Sequence, residues 1–334
     1  MNDISKLVVI GASAGGLQAI AELVSNFPES PNVAVLVVLH ISKQSMAEVI
    51  SHHIQKHTYL TCRVPVNEEK IMPGHLYIAP PDHHMLVKKG KILINNGPHE
   101  NRWRPSIDVL FRSAAVAYSS SVIGIILTGL LDDGTSGMGA IKRSGGTCIV
   151  QEPREAEFSD MPTNVLNNVD VDYRVPIADM GYILQDLFSM PSTAPSSIPY
   201  EIQVEADITE RLTISMDSLS KISSHSLLTC PDCGGGLWKM KDNAVHRYRC
   251  HTGHVYSEKT LLQVQSEDIE EALWIAIRLL EERKSLLRTA AGHAKDAGLI
   301  TESSDKQARS EEVITHIERL KRALQLISLN EPND

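Results

Sequence analysis

A serine, a histidine and a pair of aspartates stand where three apolar runs end. Ser13 lies in Gly11-Ala12-Ser13-Ala14-Gly15-Gly16, His40 directly follows the apolar stretch 33–39, and Asp132 and Asp133 close Leu127-Thr128-Gly129-Leu130-Leu131. Side chains of these types perform acyl transfer. A serine hydroxyl is a weak nucleophile at neutral pH and needs a base within hydrogen-bond reach. Imidazole takes that proton and returns it to the leaving group, because it titrates near the working pH. A carboxylate fixes the imidazole tautomer and stabilises the imidazolium. The glycines around Ser13 let the backbone turn sharply and a substrate come close. Amides at the start of a following helix are donors for a developing oxyanion, each worth roughly 10²–10³ in rate.

The elements that must bring these groups together are legible from position 6 to about 187. Continuous apolar runs at 7–10, 33–39, 121–127 and 148–151 predict buried strands, with shorter strands at 76–79 and 92–94. Between them, apolar residues at three- and four-residue steps predict helices at 17–27, after Ser42, at 107–117 with Ser106 as N-cap, and at 137–144. Buried strands alternating with helices predict a doubly wound α/β domain, its mostly parallel sheet covered by helices on both faces. Ligands bind such a sheet outside the carboxyl ends of its strands, which is where Ser13, His40 and the aspartates fall.

Composition bounds the rest. The chain has 334 residues, 42% hydrophobic but only 4% aromatic, so its core is built from Val, Ile, Leu and Ala. A net charge of −9 without a long basic run disfavours nucleic acid as a partner. The longest apolar run, 122–131, is shorter than the roughly 20 residues of a membrane span, so no membrane insertion is expected. Five cysteines, two isolated and three clustered, read as reduced thiols rather than a disulfide framework. The short apolar run after Lys6 reads as a strand rather than a signal peptide, and the expected location is the cytoplasm.

These residues alone leave three readings open: a serine hydrolase, a phosphate-gripping loop of the dinucleotide type, or glycines kept for the turn. The loop departs from G-x-G-x-x-G, and His40 occupies the place of a ribose-binding acid. Six ordered segments resemble the catalytic domain of the CheB-type chemotaxis protein-glutamate methylesterases: VVIGASAGG (8–16), VLH (38–40), YIAPPDHHM (77–85), RPSIDVLFRSAA (104–115), LTGLLDDGTSGM (127–138) and the MP of 161–162. The resemblance implies Ser13 as nucleophile, His40 as base and Asp133, rather than Asp132, as the orienting acid. It implies the backbone amides of Ala14 and Leu130 as oxyanion donors, at positions where the family often has threonine and methionine. It further implies removal of methyl esters from receptor glutamates and deamidation of receptor glutamines, with methyl-accepting chemotaxis proteins or similar helical signalling proteins as partners and no cofactor for catalysis. Family members usually carry an N-terminal receiver domain; with the first strand at about Leu7, none is expected here. The same hydrolysis on a different signalling protein, such as a sensor kinase, and a non-catalytic adaptor remain as alternatives.

Further residues are candidates for the cleft. Asp82-His83-His84 has the composition of a metal or acid–base cluster, although adjacent side chains point apart. Arg102 and Arg104 precede a helix and are candidates for gripping an acidic receptor surface. The charged loop 152–161 follows a strand at the same sheet edge and is expected to wall the cleft.

Four segments are expected: the catalytic domain at 1–190, a Pro- and Ser-rich linker at 191–225 with a strand in 200–206, a small module at 226–260 and a helical hairpin at 261–330. Cys230-Pro-Asp-Cys233 and, sixteen residues on, Cys250-His-Thr-Gly-His254 resemble a zinc ribbon. Cys230, Cys233, Cys250 and His254, the last in preference to His251, would complete a closed, structural tetrahedron. Reduced thiols in a β-hairpin are the alternative. Two helical patterns follow, broken at Gly298, with Glu281-Glu282-Arg283-Lys284 on a polar face; docking of a partner or dimerisation is the sharper reading of that face, and plain solvation the other.

Overall fold

β-branched runs with no polar residue form the centre of the molecule. The structure, a computed structural model, describes residues 4–30, 32–88, 90–191, 196–213, 215–241 and 245–330. Two units separate, Met1–Thr260 and Leu261–Asp334. In the first, the chain runs through β1 (Lys6–Ala12), α1 (Gly16–Ser25), β2 (Val33–Leu39), α2 (Ala47–Gln55), β3 (Thr61–Arg63), β4 (Glu69–Lys70), β5 (His75–Ile78), β6 (His84–Lys88) and β7 (Lys91–Asn95). It continues through α3 (Ile107–Tyr118), β8 (Val122–Ile126), α4 (Thr135–Arg143), β9 (Thr147–Gln151), α5 (Asp160–Asn168), β10 (Tyr173–Val175) and α6 (Ile177–Ser189). Then follow α7 (Tyr200–Arg211), α8 (Met216–Ile222), β11 (Ser223–Thr229), β12 (Gly236–Met240), β13 (Arg247–Cys250) and β14 (Val255–Ser257).

Seven strands make one sheet in the order β10-β9-β8-β1-β2-β5-β3, and every pairing in it is parallel. The α/β expectation holds. Alternation along each buried strand divides the core into two faces. Leu7, Val9, Leu36 and Val38 pack with Leu110 and Phe111 of α3, Ile141 of α4 and Val165 of α5. Val8, Ile10, Val35 and Val37 pack with Ile20 and Leu23 of α1, Ile54 of α2 and Leu184 of α6. β1 lies between β8 and β2, so the chain departs from it in both directions and leaves a crevice at its carboxyl end.

The described residues from 196 to 225 are not a plain linker; residues 192–195 and 214 lie outside the described residues. The strand expected in 200–206 is part of helix α7, whose Ile202 joins the main core and whose Glu205 is buried against α3. β11, β12, β13 and β14 then form an antiparallel sheet within the same unit as the parallel one. An ion network fastens them together. Arg112 of α3 donates to Glu205 at 2.7 Å and to Glu100 at 2.5 Å. Arg247 of β13 holds both oxygens of Glu205 at 2.8 Å, and Arg249 reaches Glu100 at 2.9 Å. All five side chains are buried. Three guanidinium groups share two carboxylates, so neither acid can be lost without stranding a buried cation.

The second unit consists of α9 (Glu258–Asp296), which starts in the first, and α10 (Ile300–Asn330). They run antiparallel, with Ser303 bonded to the Ala291 carbonyl and Ser310 to that of Lys284. Ile277, Val313, Ile317 and Leu324 form the seam. Gly298 makes the turn with φ +78°, where a side chain would be strained. No helix among the described residues is long and apolar enough to cross a membrane.

Removing one partner from a buried ion group leaves the other uncompensated, at about 3–5 kcal/mol. Glu205→Ala is therefore expected to lower stability by about that amount, measured as the urea midpoint of the full chain; a change within about 0.5 kcal/mol, the size for an ordinary surface site, would show that water takes over the carboxylate's role.

Candidate active site

The crevice at the end of β1 is set by strand register. Ala12 pairs with Leu39, so the next residues, Ser13 and His40, emerge abreast from neighbouring strands. The His40 amide donates to the Ala12 carbonyl at 3.1 Å and the Ser13 amide to the Thr128 carbonyl at 3.0 Å, which fixes both backbones. His40 Nδ1 lies 3.3 Å from Ser13 Oγ, and His40 Nε2 lies 2.9 Å from Asp133 Oδ2. Beside an ionised carboxylate Nε2 carries the proton, and the Nδ1 lone pair faces the serine. The indole of Trp103 lies flat on the His40 ring, centroids 4.0 Å apart and planes 10° apart.

Asp133 stands in the loop between β8 and α4 and is almost fully buried. Besides His40, its carboxylate accepts from the Ile107 amide at 2.7 Å, Ser106 Oγ at 2.9 Å, Asn101 Nδ2 at 3.2 Å and the Asp108 amide at 3.4 Å. Ser106 is the N-cap residue of α3, yet its side chain makes no cap bond; its hydroxyl is spent on Asp133, and the Asp133 carboxylate itself receives the first helix amides. Burial pushes Asp133 upward, but the His40 bond and charge, the Ile107 amide and the Asn101 amide outweigh it and hold the group below the usual carboxylate range. Asp132 does not touch His40; it accepts from Thr260 Oγ1 at 3.2 Å.

The mouth of the site is a cleft of about 460 Å³ lined by Ser13, Leu17, His40, Ile41, Ile50 and His53 among others. On its other side, the 152–161 loop is pinned to Thr128, whose Oγ1 accepts the Phe158 amide at 2.8 Å. Gly129 permits this closeness, since a Cβ there would sit 2.8 Å from Ser13 Cβ and 2.1 Å from Met161 Sδ. The amides around Ser13 divide into two sets. Those of Ser13, Gly16, Gly129 and Leu131 are taken by Thr128, Ser13, Phe158 and Asp160. Those of Ala14 and Leu130, like that of Gly15, have no acceptor among the described residues.

Other expected residues lie elsewhere. Asp82 is held by Arg104, at 2.8 Å, and Lys43; His83 Nδ1 bonds the Pro81 carbonyl. His84 is buried between the Pro98 carbonyl and the Ser106 amide, and burial keeps its imidazole below its ordinary value. The three thus diverge into the scaffold, and Arg104 is engaged there too. Cys62 and Cys148 are plain core thiols, pushed by burial up to about 11 and about 12. Cys230, Cys233, Cys250 and His254 do converge, their ligand atoms all within 4.8 Å of one another. Cys233 and Cys250 sulfurs are 3.7 Å apart, and His254 Nδ1 lies 3.7 Å from Cys230 and 3.5 Å from Cys250. His251 is not part of this group.

A serine, a histidine and a buried aspartate lie in line at the switch point of a parallel sheet, where ligands of such sheets bind. The CheB methylesterase family profile matches residues 8–184. The chain belongs to the CheB methylesterase family. Over 167 residues it is 36% identical to a putative protein-glutamate methylesterase/protein-glutamine glutaminase of Leptospira interrogans, covering 50% of this chain and 86% of the relative. Over 184 residues it is 33% identical to protein-glutamate methylesterase/protein-glutamine glutaminase 1 of Geobacter metallireducens, of which it spans 49%. The crystal structure of the Thermotoga maritima CheB methylesterase catalytic domain superposes with a TM-score of 0.51 at 30% identity, covering 55% of this chain and 97% of that one.

Asn101, Trp103 and Asp108 were not expected at the site. Asp108 accepts from the Gly137 amide at 2.6 Å and Asn101 Nδ2 at 3.0 Å, and burial, then the charge of Asp133, push its carboxyl up to about 8. In an unfolded chain it titrates near 3.9, so from about pH 4 to about pH 8 the folded protein holds a proton the unfolded one has released. Asp108 thus makes stability fall as pH rises through that window. In Asp108→Asn the decline of the urea midpoint between about pH 5 and about pH 8 is expected to be shallower than in the parent; parallel profiles would assign the slope to other groups.

Proposed function

We propose that this protein hydrolyses γ-methyl esters of glutamate on helical signalling proteins of the chemoreceptor type and deamidates selected glutamines on the same surfaces. The observation that carries the reading is the Ser13–His40–Asp133 line at the end of β1, in a chain of the CheB methylesterase family. Ser13 Oγ attacks the ester carbonyl carbon while its proton passes to His40 Nδ1. The carbonyl oxygen becomes an oxyanion, for which the unengaged amides of Ala14 and Leu130 are the donors. Asp133, kept ionised, balances the imidazolium. Collapse breaks the bond to the methoxy group, which leaves as methanol with the proton from His40. Water then gives a proton to His40 and attacks the acyl-enzyme; glutamate departs and Ser13 regains its proton. With glutamine the leaving group is ammonia and the remaining steps are the same.

The cysteine sheet supports a second assignment: Cys230, Cys233, Cys250 and His254 hold a structural zinc. Zinc–sulfur bonds of about 2.3 Å and zinc–nitrogen bonds of about 2.0 Å give tetrahedral edges of about 3.5–3.8 Å. Three of the six distances between these ligand atoms, at 3.5–3.7 Å, match such edges, and all six lie within 4.8 Å. On its far side, His254 Nε2 faces the Asp232 carboxylate at 3.7 Å, the kind of outer partner that orients a ligating imidazole. Four ligands leave no open position, so the metal's contribution is to folding.

Ser13→Ala is expected to cut methanol release from methylated receptor by about 10⁶, the size seen when such residues act as a unit, and to abolish labelling by a fluorophosphonate; near-parental release from this variant would sink the assignment. Metal analysis of the purified full chain is expected to give one zinc, and a Cys233→Ser chain less. Equal metal content in the two would remove Cys233 from the ligand set.

A further inference from the structure

The cysteine sheet is bonded to the residues that hold the acid and the base. On the backbone, the Val255 amide of β14 donates to the His99 carbonyl at 3.2 Å, and the Asn101 amide donates to the Val255 carbonyl at 2.8 Å. On the side chain, Asn101 Oδ1 accepts the Ser257 amide at 2.9 Å while its Nδ2 serves both Asp133 and Asp108. Two residues on, Trp103 covers His40. Residues 99–103 therefore form a strap, with β14 along one side and two members of the hydrolytic line on the other.

The strap closes on itself where the Glu100 and Trp103 amides donate to each other's carbonyls at 3.3 and 2.9 Å, and Arg112 and Arg249 hold Glu100, but its tip has an unusual backbone. Asn101 and Arg102 have φ of +51° and +68°, the left-handed region that side-chain-bearing residues occupy when their surroundings fix them. β14 is such a surrounding, and the cysteine cluster sets β14. The strand leaves the turn that carries Cys250 and His254, closed by the Cys250 amide on the His254 carbonyl at 3.0 Å. Its Tyr256 hydroxyl donates to Asp232, inside the opposite Cys230–Cys233 loop, at 2.5 Å.

We propose that the four-ligand site is an internal clamp on catalysis: bound zinc fixes the 250–254 turn, the turn fixes β14, and β14, through Asn101 and the strap, fixes Asp133 and the Trp103–His40 stack. Asn101 is a positioning residue in this scheme, acting through the acid and not on substrate. The clamp rests on the hydrolytic and zinc assignments above, and it assigns the metal site an effect on turnover although the metal never meets the substrate.

Trp103 provides a readout independent of activity. The chain has three tryptophans, so a Trp238→Phe/Trp274→Phe chain reports from the stack alone. Stripping zinc from the full-length protein with a chelator is expected to change Trp103 emission and to slow fluorophosphonate labelling of Ser13 together. Receptor demethylation should lose about 10- to 100-fold in kcat with little change in KM, the size of a misplacement near 1 Å; added zinc should restore all three. Asn101→Ala is expected to reproduce the kcat loss with zinc still bound. Should that variant fail to fold, the chelation series on the parent chain decides alone. Loss of zinc with emission and labelling both unchanged overturns the clamp, as does a chain that binds no zinc. Emission that follows zinc in a protein the fluorophosphonate never labels supports the path from the metal to the strap and removes the hydrolytic reading together with any effect on turnover.

Discussion

The site depends on one buried carboxylate. Asp133 gathers His40, a serine hydroxyl, a side-chain amide and the first amides of α3 around two oxygens. Removing a carboxylate from water is costly, and only such a set of donors at the positive end of a helix keeps it ionised there. The same bonds that hold the charge therefore fix the distance between α3 and the loop after β8. A neutral Asp133 would lose the base's partner and the helix cap at once, which ties the chemistry of the cleft to the packing of the main core.

Parallel strands supply the remaining order. Because β1 and β2 are in register to their last residues, Ser13 and His40 need no long loops to meet, and both are carried by backbone that is buried on each side. Gly129 then leaves room for both Ser13 and Met161, the last residue of the 152–161 loop, since a Cβ there would meet each of them. The resulting cleft is lined by residues of α1 and α2 and by Ser13, Leu39 and His40 at the sheet edge.

Much of this was legible in the amino-acid order. Apolar runs ending in Ser13 and His40 mark strand ends, since an uninterrupted β-branched run has few other places to go. Asn101 and Trp103 carried no such mark: they lie in an irregular segment, and their roles arise from contacts with residues 32 and 156 positions onward, or 63 positions back. Tyr200-Glu-Ile-Gln-Val-Glu-Ala206 alternates polar and apolar like a strand, yet it is helical because Ile202, Glu205, Ala206 and Thr209 can all face inward on a helix, Glu205 doing so only with Arg112 and Arg247 waiting for it. A buried acid of that kind is invisible to any hydropathy pattern. Ser106 is the expected N-cap residue, though its hydroxyl is turned to Asp133 rather than to a helix amide.

The orientation of the His40 ring has a consequence for which chemistry the scaffold admits. Hydrogen-bonded strands lie about 4.8 Å apart, so a nucleophile on the adjacent strand meets the near nitrogen of the imidazole, and the far one is left to reach across to a loop. The near nitrogen is only two bonds from Cβ, and its place follows the main chain of β2 with little slack. The Ser13–His40 distance is thereby tied to sheet spacing, while the far nitrogen depends on a loop residue, Asp133, that is itself held by the start of α3.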